Sequence, residues 1–312
     1  MLGKILLLGE PLVLFTSTKV GSLSDAPIFK KSVAGAELNV AIGLTRLNHD
    51  VEFISKLGND FFGEFIFDKI REEGISTDYI LRTDEYSSGI MFKDKVVVGD
   101  PNTQYYRDNS AFTSLGLSDL NVSYNDVDLV HITGIPLAVS SSVRKLFFKI
   151  LNDAKNNGIT ITFDPNLRSS LWRSKSEMIE TLNKVAEYVD IILPGLSEGR
   201  TLTNLEDPKE IAYYYLKKGI KKVVIKLGEK GALLYTNENE EMIPSHQVKD
   251  VIDTVGAGDG FAVGFIHGVL NEKSAETCVN YGNLIGSLQV QSISDNDALP
   301  TLDIFNNLIK NE

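Results

Sequence analysis

In this 312-residue chain, Asp253, Thr254, Val255, Gly256, Ala257, Gly258, Asp259 and Gly260 run into Phe261 and an apolar stretch with helical spacing. Glycines at 256, 258 and 260 permit a tight backbone turn, and N–H groups converging at a helix N-terminus form a site for an anion, phosphate above all. Asp259 lies inside that turn, where a passive cradle would avoid negative charge. A carboxylate has a purpose there if it accepts a proton from an attacking hydroxyl while the amides of Gly256, Ala257 and Gly258 offset charge on a transferred phosphoryl group. Asp is also a favoured helix-capping residue, and the two roles are compatible.

Other phosphate motifs are missing. The chain has no GxxxxGK[ST] run and no GxGxxG after an early strand, and its glycine cluster lacks the acidic partner of a ribose site, which argues against a nicotinamide-dependent dehydrogenase. The formal charge of −11 repels phosphate backbones and anionic lipid, so neither nucleic acid nor membrane is an expected partner. The single cysteine, Cys278, forms no internal disulfide and no Cys/His zinc pattern; it reads as a buried structural thiol in a reducing compartment. Residues 5–8 are apolar, but Gly9, Glu10 and Pro11 end the run, which fits a buried strand better than a signal peptide. No apolar run approaches the roughly 20 residues of a membrane span, and a cytoplasmic protein is expected.

The elements that must position these residues alternate. Short β-rich runs at 4–8, 51–56, 127–132, 159–164, 191–193 and 223–226 are separated by amphipathic segments at 37–47, 63–73, 143–157, 175–188 and 208–218. That order predicts βαβ units and a mostly parallel sheet covered by helices, in one domain spanning 1–312. Two stretches, 12–33 and 86–107, show strand alternation with no intervening helix; they predict strands outside the main sheet, either a small lid or a fixed antiparallel extension. From 261 to 290 the spacing is helical, and Gly264, Gly268, Ala275, Gly282 and Gly286 would let helices approach closely.

The string from Asp253 to Phe261 resembles the DTxGAGDxF signature of ribokinase-like (PfkB) carbohydrate kinases. Further likenesses fall at Gly9-Glu10, 34–41, Leu57-Gly58-Asn59-Asp60, Phe163-Asp164-Pro165-Asn166 and Lys226-Leu227-Gly228 with Gly231, so the resemblance spans nearly the whole chain. It implies a central α/β sheet with a β-sheet lid. It also implies Asp259 as base, Gly256, Ala257 and Gly258 as the anion hole, and ATP near Lys226, Gly228, Gly231 and Gly258, with Asn283 near the adenine. Mg2+ would be organised through water by Glu198, although the family's usual Asn is Gly195 here.

Within that family, Tyr105-Tyr106-Arg107 followed by Ser110-Ala111, together with 35–41 and Asp164 to Arg168 before Leu171-Trp172, resembles 2-keto-3-deoxygluconate kinases. Guanidinium groups of Arg107 and Arg168 could then bind a sugar carboxylate, with Arg168 alternatively serving ATP. Gly35, Asn39 and Tyr105 would line the sugar pocket; Asp295, or its neighbour Asp297, would meet a hydroxyl. Met91 stands where those kinases tend to place a tyrosine. The implied reaction is phosphorylation of the 6-hydroxyl of 2-keto-3-deoxygluconate, and of 2-keto-3-deoxygalactonate if the pocket admits it. A kinase for a neutral sugar and a non-catalytic sensor on the same scaffold are the alternatives. Lid strands with apolar faces imply a homo-oligomer, at least a dimer.

Overall fold

A computed structural model describes residues 3–96, 101–248, 251–292 and 294–310. Residues 97–100, inside the expected 86–107 strand region, lie outside that description.

The chain opens with β1 (Lys4–Leu8), β2 (Leu12–Val20), β3 (Phe29–Ala34), α1 (Ala36–Arg46), β4 (Asp50–Gly58), α2 (Phe61–Glu72) and β5 (Ile80–Thr83). It continues through β6 (Ile90–Lys95), β7 (Thr103–Tyr106), β8 (Val127–Thr133), α3 (Ile135–Val139), α4 (Ser141–Asn156) and β9 (Thr160–Asp164). Then come α5 (Lys175–Val185), β10 (Ile191–Ile192), α6 (Leu196–Thr203), α7 (Pro208–Leu216), β11 (Lys222–Lys226) and the hairpin β12 (Ala232–Tyr235) and β13 (Glu240–Ile243). Three helices follow: α8 (Ala257–Leu270), α9 (Ala275–Gln289) and α10 (Leu302–Lys310).

Among the described residues, nine strands form the main sheet in the order β13-β12-β11-β10-β9-β8-β1-β4-β5. Its pairings from β11 to β5 are parallel; β12 and β13 extend it antiparallel. Both faces are covered, which is why the strands read as continuous apolar runs. In β1, Ile5 and Leu7 enter one core cluster while Leu6 and Leu8 enter the other. The second sheet has four strands, in the order β3-β2-β6-β7, drawn from the two stretches that lacked helices.

The small residues at 264 to 286 are packing devices. A Cβ on Gly264 would fall 2.1 Å from the Tyr281 carbonyl oxygen, and one on Gly268 would fall 2.9 Å from the Cys278 Cα, so α8 and α9 touch backbone to backbone. Cys278 is buried at that contact, as its isolation in the sequence predicted. Because backbone has nowhere to retreat, Gly264→Ala is expected to cost about 1–3 kcal/mol of stability, read as a lower urea midpoint with unchanged slope.

Candidate active site

Parallel strands expose their carboxyl ends along one edge, and the chemistry-bearing residues stand there. Glu10 follows β1, Thr133 closes β8, Asp164 closes β9 and Lys226 closes β11. A cleft of about 360 Å³ opens above them; α1 contributes Glu37 and Asn39, α8 contributes Gly258 and Asp259, and the second sheet contributes Leu12, Met91 and Tyr105.

The three glycines of the turn divide their work. Gly256 takes the left-handed conformation (φ 81°) that starts α8, and a Cβ there would lie 2.9 Å from the carbonyl oxygen of Asp295. Gly258 is already helical and faces the cleft, 3.6 Å from Lys226 Nζ at its would-be Cβ. Gly260 does not serve the turn, contrary to the sequence expectation; it makes room for Gln289, whose Cγ would be 2.8 Å from a Cβ. The N–H groups of the first helical turn have no intrahelical acceptors, which leaves a positive pole beside the cleft.

Asp259 does not cap α8. Its Oδ2 accepts a 2.8 Å hydrogen bond from Asn39 Nδ2 on α1, and the helix cap, Gly256, makes no side-chain bond. Burial pushes the Asp259 carboxyl up to about 7, with the Asp164 and Glu37 charges adding to the rise and Asn39 and Arg168 opposing it. Asn39 in turn accepts from Asn296 Nδ2 at 3.2 Å, so the base-side carboxyl is held from two helices and a loop.

Deeper in the cleft, Lys226 Nζ donates to Asp164 Oδ2 at 2.6 Å. Burial pulls the Lys226 ammonium down, but Asp164 and Glu198 outweigh it and hold it above the usual lysine value. Glu198 turns back on its own helix. It accepts from the N–H of Gly195 at 2.7 Å and of Leu167 at 2.8 Å, and burial raises its pKa. Among the described residues no cluster of three or more carboxylates, histidines or cysteines could hold a metal alone. Asp164 and Glu198 are instead two carboxylates lining the same cleft, which suits an ion that keeps its own waters.

Of the expected sugar contacts, Gly35, Asn39, Tyr105, Arg107, Arg168 and Asp295 all line the cleft. Their partners differ. Gly35 (φ 137°) passes so close to Glu10 that a Cβ would sit 2.8 Å from its carbonyl oxygen. Arg107 is 7% exposed and its Nε donates to Glu10 Oε2 at 2.8 Å, so its charge is already balanced; Arg168 is exposed at the rim. Asp295 is buried against Lys93, while Asp297 is on the surface, 3.8 Å from Lys30, and takes no part in the cleft.

Three expected nucleotide residues stand apart from it. Gly228 and Gly231 belong to the turn from β11 to β12, where a Cβ on Gly231 would lie 2.1 Å from the Ile243 carbonyl oxygen. Asn283 spends its amide on the carbonyls of Ile243 (3.2 Å) and Pro244 (3.0 Å), pinning the end of β13 to α9. Sequence reading missed Glu37, Glu10 and Asp164 as site residues. A charged residue in the apolar face of a helix or at the end of a buried strand was the available signal.

A mostly parallel sheet, a small four-stranded sheet over its carboxyl edge and an open helix N-terminus beside a buried carboxyl define a ribokinase-like α/β kinase fold. The pattern of the pfkB family carbohydrate kinases matches residues 4–302, and the chain belongs to that family. It is 43% identical over 295 residues to the 2-dehydro-3-deoxygluconokinase of Bacillus subtilis (strain 168), covering 94% of this chain and 91% of that one. Among solved structures, a PfkB protein from Polaromonas sp. JS666 superposes with TM-score 0.90 at 34% identity, over 98% and 99% of the two chains. A putative ribokinase II from E. coli in complex with ATP and Mg2+ superposes with TM-score 0.91 at 26% identity over the full length of both. No described helix is long and apolar enough to cross a membrane.

Removing the donor that holds the Asp259 carboxyl down must raise it. In Asn39→Ala the Asp259 pKa is expected above the wild-type value of about 7, read by carbon-13 NMR of labelled aspartate carboxyls; an unchanged value would show that the Asn39 bond does not bias the proton.

Proposed function

We propose that this carbohydrate kinase transfers the γ-phosphoryl group of ATP to the 6-hydroxyl of 2-keto-3-deoxygluconate. The observation that carries the reading is a carboxyl pushed up to about 7 at the open end of α8, in a cleft where the half-buried Lys226 is paired with Asp164. Asp259 takes the proton of the attacking hydroxyl as the new P–O bond forms and the bond to the β-phosphate oxygen breaks, releasing ADP. The amides of Gly256, Ala257 and Gly258 offset charge on the moving group, and Lys226 sits within reach of the same space. Mg2+ would neutralise phosphate charge, with Glu198 and Asp164 accepting from its waters.

The nucleotide then runs from the α8 turn toward the Gly228–Gly231 turn, with its base in the shallow groove between Ile243-Pro244 and α9 that Asn283 fixes. The second sheet acts as a lid, excluding water so that ATP is not hydrolysed when sugar is absent. Val20, Ile28 and Tyr106 are exposed on it, which favours pairing of two lids in a dimer.

Support for a sugar acid comes from the name of the Bacillus subtilis relative and from Arg168 at the rim. Gly35, Tyr105 and Asp295 line the sugar end, where Met91 offers no hydroxyl. One observation favours a neutral sugar instead: Glu10 already balances Arg107, so that guanidinium does not call for a carboxylate on the substrate.

ADP release is the test, with 2-keto-3-deoxygluconate, 2-keto-3-deoxygalactonate, gluconate, fructose and ribose each set against a no-sugar blank. Turnover confined to the keto-deoxy acids is expected, and preference for fructose or ribose would overturn the substrate assignment. Arg168→Ala is expected to raise KM for the acid about tenfold or more, the loss of a charge-assisted hydrogen bond. Asp259→Asn should lower kcat by about 10² to 10⁴; wild-type activity should fall as pH drops below about 7, where the base becomes protonated.

A further inference from the structure

Lys93 is the most deeply buried lysine or arginine among the described residues. It sits on β6 of the second sheet, 1% exposed, and its ammonium is 2.8 Å from Asp253 and 3.1 Å from Asp295. A lysine is rarely enclosed in this way without charged partners, and here it has two from different segments.

Each partner shapes the active site. The other oxygen of Asp253 accepts from the N–H of Val255 at 2.9 Å, bending the chain into the turn that reaches Gly256. The carbonyl of Asp295 packs against Gly256 and accepts from Gln289 Nε2 at 2.6 Å. The next residue, Asn296, donates to Asn39, and Asn39 donates to Asp259. An unbroken run of contacts therefore leads from a strand of the small sheet to the anion turn by one branch and to the base by the other.

We infer that Lys93 is a positioning residue, a built-in cation that joins the small sheet to both the anion turn and the base-holding loop. Without it, two carboxylates face each other across an empty ammonium site, and their repulsion opens the 253–256 turn and pulls Asn296 from Asn39. Displacements of about 1 Å at such a site cost on the order of 100-fold in rate. This rests on the reading of Asp259 as base.

The test is Lys93→Ala in the full-length protein, assayed by ADP release with the best acceptor. Expected is a fall in kcat of about 100-fold with KM for ATP changed far less, and saturable recovery of at least about tenfold by methylammonium, which can refill the vacated site. Wild-type protein should not respond to methylammonium, and neither tetramethylammonium nor sodium chloride at equal ionic strength should rescue the variant. A kcat within about threefold of wild type would overturn the inference, as would a loss in folded protein that methylammonium leaves untouched. If Lys93→Ala does not fold, Lys93→Ala with Asp295→Asn leaves one buried carboxylate for the added amine, and the same two outcomes decide. Asp259→Asn assayed alongside separates the readings: full activity there sinks the base assignment, whereas an inactive Asp259→Asn beside a fully active Lys93→Ala sinks only the role of Lys93.

Discussion

The structure depends on burying negative charge in a cleft that must receive phosphates. Asp259, Asp164, Glu198, Glu37, Glu10 and Asp295 all line it, in a chain whose formal charge is already −11. Three enclosed cations, Lys226 half-buried and the other two buried, answer particular members of that set: Lys226 meets Asp164, Arg107 meets Glu10 and Lys93 meets Asp295. Such pairs contribute little net stability, because desolvation offsets their attraction, but removing one partner is costly. Their effect is to fix geometry. The carboxyls left without a cation of their own, Asp259, Glu37 and Glu198, are raised by burial, the first two to about 7.

Topology brings these charges together at no local cost. Strands β1, β8, β9 and β11 run in one direction, so the residues that close them meet along one edge although they are far apart in sequence. The helix that opens at that edge is anchored far below it. Because α8 and α9 meet through Gly264 and Gly268, the height of the α8 N-terminus is fixed by backbone contact rather than by adaptable side chains. Asn39 then crosses from α1 to hold the one carboxyl that α8 carries into the cleft.

Much of this was legible in the sequence because the signals were local. Apolar runs placed β1, β4, β8, β9 and β11, and helical spacing placed α1, α4 and α8, because both faces of the sheet are dry. The glycine-rich turn before Phe261 pointed, from backbone chemistry alone, to the helix N-terminus that opens on the cleft. What was not legible depended on long-range pairing. Gly260 belongs with Gln289, Asn39 with Asp259 and Lys93 with two aspartates about 160 and 200 residues away. The sequence also gave no means of telling that Glu10 would balance Arg107, since a buried pair is recognisable only when both partners are known to be inside.

Glu10 has one more consequence, for how the small sheet can change over time. The chain passes between the two sheets four times, near Glu10, Gly35, Gly89 and Arg107, and all four crossings touch Glu10. Gly35 packs on its carbonyl, a Cβ on Gly89 would lie 2.7 Å from its Oε1, and Arg107 is its ion partner. The four crossings are therefore gathered at one knot, and Lys93, paired with Asp253 and Asp295, ties the sheet down at a second point. Lengthening or trimming the distal segment at 21–28 would alter the reach of the cover and the surface offered to neighbours while the crossings at Glu10 and the pocket beneath them stay the same. Descendants of this chain could vary what they associate with far more readily than what they phosphorylate.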